Sequence, residues 1–329
     1  MHANSIIVLS AKDVSKCLDM KTAISAMENA FRQVSAKEAH VPLRSDIAVD
    51  EFNGVVLFMP AYLPENGQIA LKTVTIYKNN FTKGLPMIHA LVQIFAADTG
   101  QPLALMDGEV LTSLRTGAAS GFATKLLANP AAETVVLFGA GVQGKTQLEA
   151  VCCVRDIKRA YIFDVSEARA QSFAKEMSQK LSIDIIPTTS AADLAQADII
   201  CTATPSAKPL FEHSSLKKGV HINGIGSFRP DMCEIPPETV AKAKVFVDQR
   251  EACRAEAGDL IQPLNARIID EKHISNEIGE VALGQKEGRL EDDDITFFKS
   301  VGVAVQDLAV ATLILQRAKE LGLGTTIEI

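Results

Sequence analysis

The feature that most constrains the fold is a glycine-rich turn at Gly139–Gly144. An apolar, β-branched run over residues 134–138 precedes it, and a helical pattern over residues 145–154 follows. A second apolar run, residues 159–163, ends in Asp164. The order strand, tight turn, helix, strand and acid is that of the dinucleotide-binding unit of a doubly wound sheet. A glycine cluster alone would also suit an ordinary loop, and it is the flanking pattern that favours the dinucleotide interpretation.

Each part of this unit has a physical role in the prediction. Gly139 allows the sharp turn, Gly141 lets the backbone approach a pyrophosphate, and the helix N-terminus supplies N–H groups and a positive dipole end. Asp164 stands where a carboxylate accepts hydrogen bonds from the ribose hydroxyls. We therefore expect NAD(H) rather than NADP(H), although Ser166 and Arg169 beside this acid leave NADP(H) open.

Composition excludes several classes of function. The 329 residues carry a formal net charge of −7 with interspersed acids and bases, which argues against a nucleic-acid surface. No apolar run reaches the roughly 18 residues of a membrane span, and the N-terminus lacks the basic region of a signal peptide. The six cysteines form no C-x-x-C pair, which favours free thiols of a cytoplasmic protein over a disulfide framework or a metal site.

The pattern of elements predicts an α/β protein with two domains. Residues 1–129 form a β-rich α+β domain for substrate binding and dimerisation, residues 130–302 form a Rossmann-type domain with a doubly wound parallel sheet, and residues 303–329 return to the first domain. The strands predicted for the first domain are 5–9 and, in an antiparallel sheet, 44–49, 54–61, 69–77, 89–96 and 102–107; its helices are 10–20, 21–35 and 108–127. The second domain alternates helices with strands at 134–138, 159–163, 183–186, 198–203, 219–224 and 244–248, and helices follow at 253–260, 277–283 and 303–321.

Three cationic residues of the first domain stand among apolar neighbours: Arg44, Lys72 and Arg115. Arg44 or Lys72, taken alone, could be an outward-facing side chain of a strand or helix. This does not hold for Arg115, because the run around it is too rich in small residues for a solvent-exposed face. Buried cations need anionic partners, and arginine matches a carboxylate or phosphate with two parallel bonds. The sequence therefore predicts a small anionic substrate.

Longer motifs show a family resemblance over nearly the whole chain. They are Val41–Arg44, Leu71–Thr73, Lys83–Pro86, Met106–Gly108, Leu111–Gly117, Gly139–Gly144, Thr202–Ser206, Ile222–Gly226 with Arg229–Asp231, Ile278–Val281, and Ser300–Gly302 with Gln306-Asp307. In these motifs the chain resembles the ornithine cyclodeaminase/μ-crystallin family. The resemblance implies a homodimer built through the β-rich domain, with the last helix joining that domain.

The resemblance also implies roles for individual residues. Arg44, Lys72 and Arg115 hold the α-carboxylate of the substrate, and Lys72 is also a candidate proton donor. Ser300 and Val301 close the nicotinamide end, with Val301 on the substrate side. The residues expected to line the cofactor are Thr116, Gly139, Gly141, Val142, Gln143, Asp164, Arg169, Thr204, Ile225, Gly226, Ser227, Phe228 and Ser300.

Departures from the family pattern favour one activity within it. Cyclodeaminases and alanine dehydrogenases of the family share a catalytic aspartate two positions after the glycine that Gly226 matches. In this chain Phe228 occupies that position. The run Val55–Pro60 lacks the acid that holds the distal amine of a cyclodeaminase substrate, and Met87 replaces a common threonine. The segment Ser227–Asp231 is closer to ketimine and pyrroline-2-carboxylate reductases. Asp231 could serve as the acid or simply cap a turn.

We therefore expect an NAD(P)H-dependent oxidoreductase that reduces a cyclic imino acid, with Δ1-pyrroline-2-carboxylate going to L-proline as the leading case. One alternative is an ornithine cyclodeaminase or alanine dehydrogenase of the same family. Another is a dimer of the crystallin type that binds a nucleotide without catalysis.

Overall fold

The computed structural model describes residues 5–328, apart from the side chain of Phe81, and divides into two compact units. The first unit contains residues 5–115 and 303–328, and the second contains residues 116–302. The strands are β1 Ser5–Leu9, β2 Ser45–Val49, β3 Gly54–Leu63, β4 Gln68–Tyr77, β5 Ile88–Ala96, β6 Pro102–Asp107, β7 Thr134–Phe138, β8 Arg159–Phe163, β9 Asp184–Pro187, β10 Ile199–Thr202, β11 His221–Gly224, β12 Lys244–Val247, β13 Asn276–Glu277, β14 Thr296–Lys299 and β15 Thr325–Glu328. The helices are α1 Ala11–Cys17, α2 Met20–Ser35, α3 Gly108–Leu127, α4 Val142–Val154, α5 Glu167–Leu181, α6 Ala191–Leu194, α7 Pro237–Lys242, α8 Arg250–Glu256, α9 Gly258–Asn265, α10 Ile278–Ala282 and α11 Ala304–Leu321. Among the described residues, none of these helices is both long enough and apolar enough to cross a membrane.

The first two helices begin where the sequence supplies a capping side chain. Ser10 accepts a hydrogen bond from the Asp13 N–H at the start of α1, and Asp19 accepts one from the Thr22 N–H at the start of α2. Each such cap stabilises a helix by about 1 kcal/mol. Their predicted positions are confirmed within a few residues.

The first unit contains a seven-stranded sheet in the order β15-β1-β6-β5-β4-β3-β2. Strands β2 to β6 are antiparallel, as predicted, whereas β1 runs parallel to β6. Helix α11 packs on β3, β4 and β5 and contacts α2. Because side chains alternate between the faces of a strand, buried Ala70 and Lys72 of β4 share the face under α11.

The second unit contains an eight-stranded sheet in the order β13-β12-β14-β11-β10-β7-β8-β9, and all its strand pairs are parallel. Its core is the apolar side of these strands with α4 and α5, including Leu137, Leu148 and Phe173. Strands β8 and β9 are added on one side of β7, and β10 and β11 are added on the other, so the strand order reverses between β7 and β10. In open sheets of this kind, ligands bind outside the carboxyl ends of the strands at such a point. The predicted doubly wound parallel sheet is confirmed.

Two local predictions for the second unit are wrong, and one strand was not predicted. Strand β14, where the sequence pattern indicated no element, lies between β11 and β12 in the sheet. The connection from β10 to β11 contains a 3₁₀ turn at His213–Ser215 rather than a full crossover helix. The helix predicted over residues 253–260 is instead two helices, α8 and α9, that meet at Ala257.

Candidate functional site

A buried ion cluster in the first unit brings two of the predicted substrate-binding cations together. Lys72 Nζ lies 2.6 Å from Asp307 Oδ2, and both side chains are 1% exposed. Arg115 Nε donates to the other oxygen of the same carboxylate at 3.0 Å. Asp307 therefore joins β4, which carries Lys72, to α3, which carries Arg115.

The electrostatic setting of Lys72 is unusual for a lysine. The pKa of Lys72 falls from 10.5 to about 7, chiefly because the side chain is buried and also because Arg115 and Arg44 bring positive charge, while Asp307 opposes the fall. A lysine with a pKa near neutrality exchanges a proton readily at physiological pH. The third predicted cation, Arg44, is half-buried just before β2 and acts on the same ammonium group.

The acid of this cluster was not assigned a role from the sequence. Asp307 lies in the first turn of α11, where a negative charge is favoured by the helix dipole. The signal was present, because an acid stands between Val305 and Leu308 in an apolar helix. A buried acid in such a run needs a cation, by the same argument that singled out the buried cations.

Gln306 adds a hydrogen-bonding group beside the cluster. Its Oε1 accepts from Arg115 Nη1 at 2.6 Å and from the Val303 N–H at 3.2 Å, which fixes the orientation of the amide. Its Nε2 is buried and has no hydrogen-bond partner among the described residues. An unpartnered buried donor is costly, so this amide is suited to bind an oxygen of a ligand.

The glycine turn of the second unit has the geometry that close backbone packing requires. Gly139 has φ +103°, and a Cβ at this position would lie 2.5 Å from the Ala203 carbonyl oxygen. A Cβ on Gly144 would lie 2.1 Å from the carbonyl oxygen of Gly139. Gly141 differs, because a Cβ there would meet nothing within 4 Å. The space above Gly141 is therefore open to a ligand.

Helix α4 begins at this turn, and its N-terminus is open to an anion. Gly141 is its N-cap and provides no side-chain cap. Val142 in its first turn is 69% exposed, and Gln143 Oε1 is buried without a hydrogen-bond partner among the described residues. On the opposite side, the Thr116 carbonyl accepts from Gln147 Nε2 at 3.2 Å, which ties α3 to α4 within this unit.

Asp164 stands at the end of β8, as the sequence predicts. Its Oδ2 accepts from the Ala140 N–H at 2.9 Å, and its Oδ1 accepts from the Ser166 N–H at 2.8 Å and from Arg169 Nη2 at 2.7 Å. Burial alone would raise the pKa of Asp164, but these hydrogen bonds outweigh it and lower that pKa below its ordinary value. The group is thus an anion, and Oδ2 keeps a lone pair for a ribose hydroxyl.

The loops after β10 and β11 carry the next predicted cofactor residues. Ile225 is buried and Phe228 is half-buried, and the N–H groups of Thr204, Gly226 and Ser227 all donate to one buried carboxylate, that of Glu234. This glutamate was also not predicted from the sequence.

A second buried carboxylate, Asp248, holds the segment after β14. Its Oδ2 accepts from Ser300 Oγ at 2.7 Å and from the N–H groups of Val301 and Gly302, each at 2.9 Å. The two residues predicted at the nicotinamide end, Ser300 and Val301, are therefore fixed by the strand end of β12. Asp231, the other candidate acid, is 70% exposed and pairs with Arg229 at 3.0 Å.

The chain is similar to known proteins over nearly its whole length. The model of the ornithine cyclodeaminase/mu-crystallin family matches residues 4–322. The chain is 38% identical over 325 residues to a Δ(1)-pyrroline-2-carboxylate reductase of Bacillus cereus, covering 98% of this chain and 100% of the relative. It is also similar to the Δ(1)-pyrroline-2-carboxylate reductase of Thermococcus litoralis, whose structure is a complex with NADH and L-proline: TM-score 0.95, 41% identity, and coverage of 98% of this chain and 100% of that chain. An archaeal alanine dehydrogenase dimer with bound NAD follows with TM-score 0.93, 34% identity and coverage of 99% of each chain.

Proposed function

The chain belongs to the ornithine cyclodeaminase/mu-crystallin family, and we propose that it is an NADH-dependent reductase of Δ1-pyrroline-2-carboxylate that forms L-proline. The observation that carries the proposal is the buried cluster of Lys72, Asp307 and Arg115. The chain is also 38% and 41% identical to two reductases of this substrate, each over 98% of its length, which supports the same activity.

The cationic cluster is suited to the carboxylate of an imino acid. Arg115 is buried and already presents its guanidinium to Asp307 and Gln306, so its orientation is fixed before a ligand arrives. Fixed donors lose little entropy on binding, which makes positioning effective. In the proposed complex Arg115 and Arg44 hold the substrate carboxylate, and Gln306 Nε2 donates an additional hydrogen bond.

The apolar neighbours of Lys72 favour a ring without a second charge. Lys72 lies opposite Met59 on β3 and opposite Val92 on β5, and the run Val55–Pro60 contains no acid. The distal ammonium of ornithine would lack a carboxylate on this segment, at a cost of several kcal/mol. A pyrroline ring has no such group. The same segment therefore counts against a cyclodeaminase.

Lys72 is the proposed proton donor. With a pKa of about 7, the ammonium is populated at neutral pH and is acidic enough to give a proton to the developing amine. Asp307 orients this ammonium through the 2.6 Å ion pair. The exposed position of Asp231 and its pairing with Arg229 make it the weaker candidate.

The second unit is proposed to bind NAD(H). When bound, the cofactor supplies the hydride that the imine carbon accepts. The open space above Gly141 and the uncapped start of α4 suit a pyrophosphate, and the anionic Asp164 suits the ribose hydroxyls. A 2′-phosphate would meet the charge of this carboxylate, which favours NADH over NADPH.

We also propose that the protein is a homodimer of the cytoplasm. The open face of the first-unit sheet carries Ile47, which is 55% exposed, and Leu91, which is 51% exposed. Apolar residues on an uncovered sheet face favour docking of a second copy. The alanine dehydrogenase at 34% identity is a dimer. The free cysteines support a reducing compartment.

A substrate panel tests the activity. Purified protein is incubated with NADH or NADPH and with five- and six-membered cyclic imino acids, or with pyruvate plus ammonia. We expect the fastest loss of nicotinamide absorbance with NADH and pyrroline-2-carboxylate. Faster turnover of pyruvate with ammonia would instead indicate an alanine dehydrogenase, and ammonia release from ornithine without added NADH would indicate a cyclodeaminase.

A further inference from the structure

A single buried carboxylate connects two loops at the carboxyl edge of the parallel sheet. Glu234 is fully buried and accepts five hydrogen bonds. Oε1 accepts from the N–H of Thr204 at 2.7 Å and from its hydroxyl at 2.8 Å. Oε2 accepts from Thr202 Oγ1 at 2.8 Å, from the Gly226 N–H at 2.7 Å and from the Ser227 N–H at 3.2 Å. The end of β10 and the end of β11 are thereby held by one side chain.

These contacts require an anion. Three of the five donors are backbone N–H groups, which can only donate. Burial and the neighbouring Asp259 raise the pKa of Glu234, while Lys299 and the hydrogen bonds from Thr204 oppose the rise. Hydrogen bonds to a charged acceptor are roughly twice as strong as neutral ones, and an amide in place of this carboxylate would turn an N–H group toward the donors.

The main chain at Glu234 is itself fixed by Asp259, a buried carboxylate that forms an ion pair with Lys299. Asp259 Oδ1 accepts from the N–H of Glu234 at 2.6 Å and from the N–H of Ile235 at 3.0 Å. Its Oδ2 accepts from Lys299 Nζ at 2.9 Å, and both side chains of that pair are 0% exposed. Lys299 is the last residue of β14, immediately before Ser300. The carboxylate is therefore anchored to a third strand end.

The two loops are also in direct contact where Glu234 holds them. A Cβ on Gly226 would lie 2.1 Å from the Thr204 carbonyl oxygen and 2.5 Å from Glu234 Oε1. The backbones are thus as close as a glycine permits. A loss of the shared acceptor would leave the N–H groups of Thr204 and Gly226 buried and unpaired, and the loops would separate to reach water.

We propose that Glu234 is a positioning residue of the cofactor site, which fixes Thr204 and the segment Ile225–Phe228 in the arrangement that binds NADH. This inference rests on the proposed function, because it takes those segments as cofactor contacts. Glu234 acts through them and does not itself contact the cofactor. Its removal should weaken cofactor binding far more than it changes the affinity for the imino acid, since the cationic cluster belongs to the other unit.

The test measures NADH binding directly in the full-length protein. Glu234→Gln keeps the shape of the side chain and removes the charge, and Thr202→Val removes one donor without leaving an N–H unpaired. Glu238→Gln is the matched control, since Glu238 is 61% exposed and pairs only with Lys242 at 2.7 Å in the described contacts. The dissociation constant of NADH is followed by its fluorescence, and the KM for the imino acid is measured at saturating NADH.

We expect the NADH dissociation constant to rise at least tenfold in Glu234→Gln and about threefold in Thr202→Val, with the imino acid KM within twofold of wild type and Glu238→Gln unchanged. Unchanged NADH binding in Glu234→Gln would overturn the inference, as would an equal rise in the KM for the imino acid. If Glu234→Gln does not fold, Thr202→Val decides: a rise supports the inference, and an unchanged value overturns it. A wild-type protein that binds NADH but does not turn over imino acids would refute the proposed function and leave this inference standing.

Discussion

Replacing Lys72 with methionine should abolish activity and should make the protein gain stability, relative to the wild type, as the pH falls. Lys72 is buried, and its pKa falls from 10.5 to about 7. Because the folded state holds the proton less tightly than the unfolded chain does, the unfolded chain binds more protons between pH 7 and pH 10.5. Lowering the pH through this window therefore favours unfolding of the wild type. Methionine has a similar length and no proton to bind.

The size of the effect follows from the two pKa values. At about 1.4 kcal/mol for each tenfold difference in proton affinity, the lowered pKa of Lys72 costs the folded state about 1 kcal/mol at pH 10, about 3 kcal/mol at pH 8 and about 5 kcal/mol at pH 6. The free energy of unfolding of Lys72→Met, minus that of the wild type, should thus grow by about 4 kcal/mol from pH 10 to pH 6. The subtraction cancels the titration of groups that both proteins share.

Urea unfolding followed by circular dichroism at pH 6, 8 and 10 gives this difference. Lys78→Met is the control, since Lys78 is an exposed lysine of the same unit and its difference should not vary with pH. Loss of the proton donor should lower kcat of Lys72→Met by about 100-fold to 10,000-fold. A pH-independent stability difference, or near-normal turnover, would refute the account of a buried catalytic ammonium.

Further outcomes follow from the same contacts. Arg115→Lys keeps the charge but loses the planar fork that contacts Asp307 and Gln306, so the KM for the imino acid should rise about tenfold or more while the NADH dissociation constant stays the same; equal KM values would contradict the carboxylate assignment. Asp164→Ala removes a charged acceptor worth about 1.5–3 kcal/mol, so NADH binding should weaken about tenfold or more. The affinity for NADPH relative to the affinity for NADH should rise, and an unchanged ratio of the two affinities would contradict the ribose assignment. The pH profile of kcat/KM for imine reduction should fall above about pH 7 as Lys72 loses its proton, and a profile that is flat to pH 9 would exclude Lys72 as the donor.

Much of the fold could be predicted from local patterns in the sequence. The strands of the Rossmann-type sheet from β7 to β12 follow from apolar runs bounded by turns, and α2 follows from its helical spacing. Strand β14 could not be found in this way, because its four residues follow the acidic segment Glu291–Asp294 and are defined by pairing with β11 and β12. Strand β15 is likewise a short strand defined by its pairing with β1.

The candidate site was predictable only in part. Lys72 and Arg115 were recognisable because a cation in an apolar run needs an explanation. Their shared partner Asp307 lies on another helix, 192 positions beyond Arg115 in the sequence. Glu234 and Asp248 bind backbone N–H groups, which every residue except proline carries. No pattern of side chains in the sequence therefore predicts such contacts. Their roles come from the way the strand ends meet in the sheet.

The most direct test of the central claim is the stoichiometry of one reaction. Wild-type protein is given NADH and Δ1-pyrroline-2-carboxylate, and both NADH oxidation and L-proline are quantified by absorbance and chiral chromatography. The account predicts one molecule of L-proline for each NADH consumed, with no ammonia released. No NADH oxidation, or oxidation without L-proline, would contradict it.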